Sequence, residues 1–189
     1  VLTDIDNCQD FLDKLEEQNL FIIPLDRERQ WYRYHHLFHE FLLGQLRKRF
    51  PAEVVTLYNK ATVWFENAGL ATEAVDYALL SGNLDKAVDL VESQVEEEMK
   101  AGRMPRVNNW VDRIPDNVCL SHPKLLFAKS TSLYHMNKPD EAEITLELLK
   151  QCRTIDKHSL EQYIMRLEAG IAICKDDIDS ILLPLSNIG

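Results

Sequence analysis

One junction between helices recurs in this sequence and constrains the fold more than any other feature. A residue that tolerates a positive φ angle is followed five positions later by alanine. The three pairs are Gly69 with Ala74, Gly82 with Ala87, and Asn137 with Ala142. Glycine and asparagine relieve left-handed strain where a helix ends, and a small residue lets the next helix cross its predecessor closely. The junction therefore predicts short antiparallel helices packed in pairs.

Apolar residues at steps of three and four predict helices over most of the chain. The first helix covers residues 5–18, a second runs from about His35 to Phe50, and Pro51 sits where a third can begin. The stripes that follow are Val54 to Ala68, Ala71 to Ala78, Leu84 to Val95, Val107 to Val111, Leu125 to Met136, Asp140 to Cys152 and Leu160 to Cys174. The repeats keep no strict register of roughly 34 residues. We therefore predict a tetratricopeptide-like (TPR-like) α-solenoid of paired helices.

Residues 20–41 interrupt this helical pattern. An apolar run over residues 20–25 and an aromatic-rich run over residues 31–34 flank a short polar loop. Two β-prone runs joined in this way predict a β-hairpin. The helix after the hairpin carries an apolar stripe of Phe38, Phe41, Leu42 and Leu46. Helix, hairpin and helix in this order indicate the second half of a winged-helix module, within a fold that is mainly α.

Composition and charge limit the class of protein. With 189 residues and 46% hydrophobic side chains, the chain is long enough for one or two domains with real cores. No apolar run approaches the roughly 20 residues that span a bilayer, so no membrane partner is expected. The four cysteines are scattered without a CxxC spacing, which indicates reduced thiols and a cytoplasmic location.

The charge is acidic overall but uneven along the chain. A net charge of −10 disfavours binding to nucleic acid, which is itself a polyanion. Residues 21–50 nevertheless carry a local balance of +3. Part of that balance is the run Arg47-Lys48-Arg49, which complements the dipole at a helix end. The acidic runs Glu96-Glu97-Glu98 and Asp176-Asp177 are predicted to be solvated faces.

Three stretches carry a resemblance to a known family. Residues 19–42, NLFIIPLDRERQWYRYHHLFHEFL, resemble the end of the winged-helix region in large ATP-dependent LuxR-type transcription regulators, the maltose-activator-like branch of the STAND ATPases. The similarity continues through residues 64–92, WFENAGLATEAVDYALLSGNLDKAVDLVE. Residues 108–130, NNWVDRIPDNVCLSHPKLLFAKS, are similar to the family's join into its sensor solenoid.

The resemblance implies a modular switch. Such proteins run from a P-loop ATPase through a winged helix and a helical arm to a TPR-like sensor, and commonly to a C-terminal helix-turn-helix. Residues 1–50 are then the C-terminal part of the winged-helix domain, 51–115 the helical arm, and 116–189 the start of the sensor solenoid. The sequence contains neither GxxxxGKS nor GxxxxGKT, so the phosphate-cradling loop is missing. We expect a fragment that holds no cofactor itself, with ATP or ADP bound only in the intact parent.

The predicted function is regulatory: the segment transmits a signal from the sensor solenoid to a nucleotide-binding switch and is not an enzyme. Its implied partners are an upstream nucleotide-binding domain and an inducer or regulatory protein on the solenoid. DNA is reached only through a missing C-terminal helix-turn-helix. Two alternatives stay open, a stand-alone TPR-like protein-interaction scaffold and a metal-dependent enzyme. A P-loop upstream and a helix-turn-helix downstream would favour the regulator.

His35 is the candidate site residue. Tyr34-His35-His36-Leu37 falls where the wider ATPase class carries a Met-His-Asp-like motif. The resemblance implies that His35 contacts an ADP phosphate in the intact parent, and a ring N–H at a helix start suits a phosphate oxygen. His36 departs from the family, which often has aspartate there. The alternative is a histidine whose hydrogen bonds are satisfied within the hairpin–helix corner.

Other groups of residues are weaker candidates for a metal, ligand or catalytic site. His35 and His39 lie one helical turn apart with His36 beside them, a spacing that suits zinc, but no third ligand is evident and no metal site is predicted. Trp31 and Tyr34 could stack a base, although packing of the hairpin on its own helix explains them more simply. Trp64, Phe65 and Trp110 are predicted to pack between helices. No nucleophile elbow supports hydrolase chemistry.

Overall fold

The chain was analysed as a computed structural model, which describes residues 8–152 and 157–175. The chain divides into two compact units, Val1–Ala61 and Thr62–Gly189. The predicted start of the first helix at residue 5 and the acidic pair at residues 176 and 177 lie outside the described residues. The predicted division into winged helix, arm and solenoid stays a prediction.

The first unit contains the predicted hairpin. Helix α1 (Cys8–Glu17) precedes strands β1 (Ile22–Pro24) and β2 (Tyr32–Tyr34), and helix α2 (His36–Arg49) follows them. The strands are antiparallel, with Ile22 opposite Tyr34 and Pro24 opposite Tyr32. A mainly α fold with a β-hairpin is therefore confirmed.

Side chains fix the hairpin loop and attach it to α1. The Asp26 carboxylate accepts hydrogen bonds from the backbone N–H groups of Gln30 at 3.0 Å and Trp31 at 2.8 Å. Aspartate stabilises tight turns in this way. The Tyr32 hydroxyl donates to Asp13 Oδ1 at 3.0 Å and accepts from Gln9 Nε2 at 2.9 Å. These contacts join β2 to the preceding helix.

The apolar stripe of α2 is only partly covered, with Phe38, Leu42 and Leu46 half-buried and Phe41 exposed. No residue of α2 is buried, and the Phe41 side chain is 59% exposed. Phe38 packs instead against the corner of the hairpin, with its ring centroid 5.2 Å from that of Phe21. Periodicity reports which face of a helix is apolar. Whether another element covers that face depends on tertiary packing.

The second unit is a series of packed helices that begins with the last part of α3 (Pro51–Asn67). The helices that follow are α4 (Ala71–Ser81), α5 (Leu84–Lys100), α6 (Met104–Asp112), α7 (Asp116–Cys119), α8 (Pro123–His135), α9 (Pro139–Lys150) and α10 (Lys157–Cys174). Neighbours pack in sequence: α4 on α5, α8 on α9, and α10 against both α8 and α9. The single turn α7 was not predicted, because four residues are too few to show a period.

The recurring junctions are confirmed. The turn residues have positive φ angles, 72° at Gly69, 74° at Gly82 and 59° at Asn137. The alanines five positions later, Ala74, Ala87 and Ala142, are each 0% exposed. Most L side chains other than asparagine are strained at such angles. Glycine or asparagine therefore ends each of these helices at the turn where the chain reverses its direction.

Aromatic residues of this unit pack between helices, as predicted. Trp110 is 1% exposed, and its Nε1–H donates to Asp76 Oδ1 at 3.0 Å. The Phe65 ring stacks on Tyr77 with centroids 5.1 Å apart. Burying the indole with its N–H bonded avoids the cost of an unpaired buried donor.

Glu98 overturns part of the prediction for the acidic run. The Glu97 side chain is 71% exposed and pairs with Lys100 at 3.2 Å, which fits a solvated face. Glu98 is 4% exposed and is bound by Arg103 at 2.6 and 2.8 Å and by Arg106 at 3.1 Å. Hydrogen bonds from Arg103 are the main reason that the pKa of Glu98 lies below its usual range. The run of acidic residues does not by itself reveal this pairing, because the two arginines lie in the loop and the helix that follow α5.

Candidate switch site at the hairpin–helix corner

His35 lies at the corner between β2 and α2. Its backbone is extended, with φ −54° and ψ 136°, and it is the N-cap residue of α2. Its N–H donates to the Phe21 carbonyl at 2.7 Å, and its carbonyl accepts from His39 N–H at 2.9 Å. The backbone of one residue therefore closes the hairpin and starts the helix.

Phe21 was missed by sequence reasoning, yet it shapes this corner. Its φ angle is 58°, in a region where a bulky side chain costs on the order of 1–2 kcal/mol. In that conformation its carbonyl meets His35 and its ring meets Phe38, while the side chain stays 58% exposed. Tyr34 completes the contact, edge-on to Phe38 at 5.7 Å. No local propensity rule places phenylalanine at a positive φ.

The start of α2 presents unsatisfied donors beside two imidazoles. The His35 side chain makes no capping hydrogen bond, and the first turn of α2 contains no acidic residue. His35 and His36 are both exposed, with ring centroids 4.5 Å apart. The first backbone N–H groups of a helix and its dipole favour a negative ligand. The corner therefore has the chemistry of an anion site, and its donors suit a phosphate oxygen.

The histidines do not form a metal centre with their described neighbours. His39 is exposed one turn after His35. In the part of the chain that the structure describes, no three histidine, cysteine, aspartate or glutamate side chains are grouped so as to hold a metal ion. The rings of His35 and His36 lie side by side, but the described residues supply no third metal ligand near them.

Comparison with known proteins identifies the region around this corner. A family model described as the MalT winged helix domain matches residues 1–54. The chain is also similar to the HTH-type transcriptional regulator MalT of Vibrio parahaemolyticus, with 26% identity over 129 residues, 68% of this chain and 14% of the relative. Residues 1–54 are therefore similar to the MalT winged helix domain. Its fold class is accordingly the mainly α one predicted, with part of a winged helix at the start.

Two further relatives extend the comparison. MalT of Yersinia pestis is 24% identical over 169 residues, which cover 89% of this chain and 19% of the relative. The serine/threonine-protein kinase PknK of Mycobacterium tuberculosis is 29% identical over 141 residues, 75% of this chain and 13% of the kinase. The chain thus spans less than a fifth of the length of these relatives. No solved structure matches it.

Two of the three relatives described above are named as transcriptional regulators. Among the described helices, none combines the length and the apolar character needed to cross a membrane.

Proposed function

We propose that the chain is the signal-transmitting segment of an ATP-dependent transcriptional activator. It couples a TPR-like sensor solenoid to a nucleotide-binding switch. One observation carries the proposal: in the matched winged-helix region, an exposed histidine follows the hairpin at an uncapped helix start. That arrangement suits an anion held at the junction between a nucleotide domain and the elements that sense a signal.

In this proposal His35 contacts a phosphate of ADP in the intact parent only. The ring N–H and the first backbone N–H groups of α2 donate to phosphate oxygens, and His36 lies close enough to add a second ring. Phe21 and Phe38 hold the corner in place. ADP bound there favours the resting state, and a signal on the solenoid shifts the population toward a state that binds ADP less tightly.

The segment by itself performs no catalysis in this account. Its partners are an upstream nucleotide-binding domain and an inducer or regulatory protein on the solenoid. DNA is bound by a C-terminal helix-turn-helix outside these residues, and the whole protein works in the cytoplasm. The similarity to a protein named as a kinase supports a segment that serves more than one kind of output domain.

The full reading frame and a nucleotide titration test this function together. We expect a P-loop upstream and a helix-turn-helix downstream of these residues. Calorimetry should detect ADP binding to the full-length protein and none to the 189-residue chain, because the chain carries no phosphate-cradling loop. A reading frame without a P-loop would instead favour the stand-alone scaffold.

A further inference from the structure

Helix α2 carries an exposed apolar face that none of the described elements covers. Leu37 and Phe41 are 67% and 59% exposed, and no residue of the helix is buried. Gly44 and the exposed Lys48 continue the same line at steps of three and four residues. A Cβ atom at Gly44 would meet nothing within 4 Å, so the middle of this line is open. We call Leu37, Phe41, Gly44 and Lys48 the α2 face.

Two charges of opposite sign flank Gly44 on this side of the helix. Glu40 lies four residues before it and Arg47 three residues after it, and both side chains are exposed. Neither side chain forms an ion pair with the residues that the structure describes. About 10 Å of helix axis separates the two residues, and both charges are left for a partner to neutralise.

The order of these residues makes the α2 face complementary to itself. Glu40 and Arg47 lie along one edge of the face, and Phe41 and Lys48 lie along the other, in each case seven residues apart. When two copies pack antiparallel about a two-fold axis at Gly44, each residue before the axis meets one after it. Glu40 of each copy then lies beside Arg47 of the other, and two ion pairs form.

The same packing covers the exposed apolar side chains. The aliphatic stem of Lys48 lies across Phe41 of the other copy while its ammonium group stays in water. Glycine at the axis lets the two backbones approach closely, because no Cβ atom separates them. A parallel pairing would instead place Arg47 beside Lys48 of the other copy, with like charges in contact. The charges therefore select the antiparallel arrangement.

We propose that the α2 face binds a second copy of this chain through this antiparallel contact. Two helices that meet over the three turns from Leu37 to Lys48 bury less than the roughly 1,200 Å² of a standard interface. The dimer is therefore weak and reversible, and its population rises with protein concentration. The proposal goes beyond the nucleotide switch and does not depend on it.

A cysteine at the two-fold axis tests the geometry most directly. In Gly44→Cys the two new thiols lie within reach of a disulfide, which needs Cα atoms about 5.5 Å apart. His39→Cys is the matched control, because His39 is exposed on the same helix but lies off the α2 face. Oxidised with copper phenanthroline, Gly44→Cys should form a homodimer joined at position 44 about tenfold faster than His39→Cys is cross-linked. Peptide mass spectrometry separates this bond from those of the native cysteines.

Exchanging the charges tests the ion pairs. Arg47→Glu should raise the dimer dissociation constant, measured by analytical ultracentrifugation, by about tenfold, because two ion pairs become two like-charge contacts. Combining Arg47→Glu with Glu40→Arg should restore the wild-type constant, which a mere loss of helix stability would not allow. A wild-type chain that stays monomeric at every concentration would overturn the proposal. So would equal cross-linking of Gly44→Cys and His39→Cys, or no recovery in the double variant.

Discussion

At the scale of the single residue, Glu98 is the most buried charged side chain among the residues that the structure describes. Its side chain is 5% exposed, whereas the side chains of Arg103 and Arg106 remain 47% and 42% exposed. The two arginines neutralise it and satisfy its oxygens while they stay hydrated. This arrangement avoids much of the desolvation cost that a fully buried ion pair carries, and it fixes the turn between α5 and α6.

We predict that Glu98→Gln lowers the free energy of unfolding by about 1–3 kcal/mol at pH 7, because three charge-assisted hydrogen bonds weaken in a buried position. Urea denaturation measures this loss. The folded-state pKa of Glu98 lies below its ordinary value of 4.5, so the stabilisation is complete above that pH. It is lost as pH falls through the folded-state pKa.

The control for Glu98→Gln is Glu97→Gln. Glu97 occupies the preceding position of the same helix, and its side chain is 71% exposed. Its replacement should change stability by less than about 0.5 kcal/mol. Equal effects at the two positions, or a difference between wild type and Glu98→Gln that does not shrink as pH falls through the folded-state pKa of Glu98, would show that the buried ion pair does not stabilise the fold.

Cys119 provides a second residue-scale prediction. It is 1% exposed, and burial raises the pKa of its thiol to about 11. Because the thiolate is the reactive form, Cys119 should resist iodoacetamide at pH 8 in the native state and react after unfolding. Mass spectrometry of individual peptides reports the modification. Cys174, which is only half-buried, should be modified faster, and rapid native labelling of Cys119 would contradict its burial.

At the scale of the element, the sequence predicts helix ends better than it predicts which surfaces are covered. The junctions at Gly69 and Gly82 were predictable, because a positive φ angle is a local requirement that few residues meet. The exposure of Phe41 was not, because it depends on elements distant in the sequence. The positive φ angle of Phe21 is unusual for phenylalanine, so the sequence does not predict it. The structure shows that this angle directs the Phe21 carbonyl to His35 and its ring to Phe38.

Two glycines in helices allow a matched test of packing. Gly170 faces the Tyr134 ring, and a Cβ atom there would lie 2.9 Å from it, whereas a Cβ atom at Gly44 would meet nothing within 4 Å. Alanine favours a helix by up to about 1 kcal/mol over glycine at either position. We therefore expect Gly44→Ala to raise the free energy of unfolding.

Gly170→Ala should do the opposite. The added methyl group forces the Tyr134 ring to move, and overpacking of this kind costs about 1–3 kcal/mol. Thermal or urea unfolding of the two variants gives the comparison directly. A stabilised Gly170→Ala would mean that Tyr134 does not lie on the backbone of α10.

At the scale of the whole molecule, the pattern of the chain was sufficient for the fold class but not for the environment of each candidate residue. Helical periodicity, helix-ending residues and the polar loop between aromatic runs predicted a mainly α chain with one hairpin. They could not show that His35 closes the hairpin through Phe21, nor that Arg166 lies over Phe127. Both are contacts between residues far apart in sequence, and no local pattern encodes them.

In the proposed function, the corner at His35 reports whether a nucleotide is bound to the intact protein. His35 is suited to this role because its ring is exposed beside an uncapped helix start. His39 lies on the same helix, is also exposed and does not occupy the helix start. The two histidines therefore form a matched pair in which only one should matter to nucleotide binding.

The most direct measurement is the rate of ADP release from the full-length protein, compared among wild type, His35→Ala and His39→Ala. We predict that ADP leaves His35→Ala about tenfold faster, the effect of losing one hydrogen bond to a charged phosphate, and that basal activity rises with it. His39→Ala should release ADP at the wild-type rate. Unchanged ADP release and basal activity in His35→Ala would contradict the account.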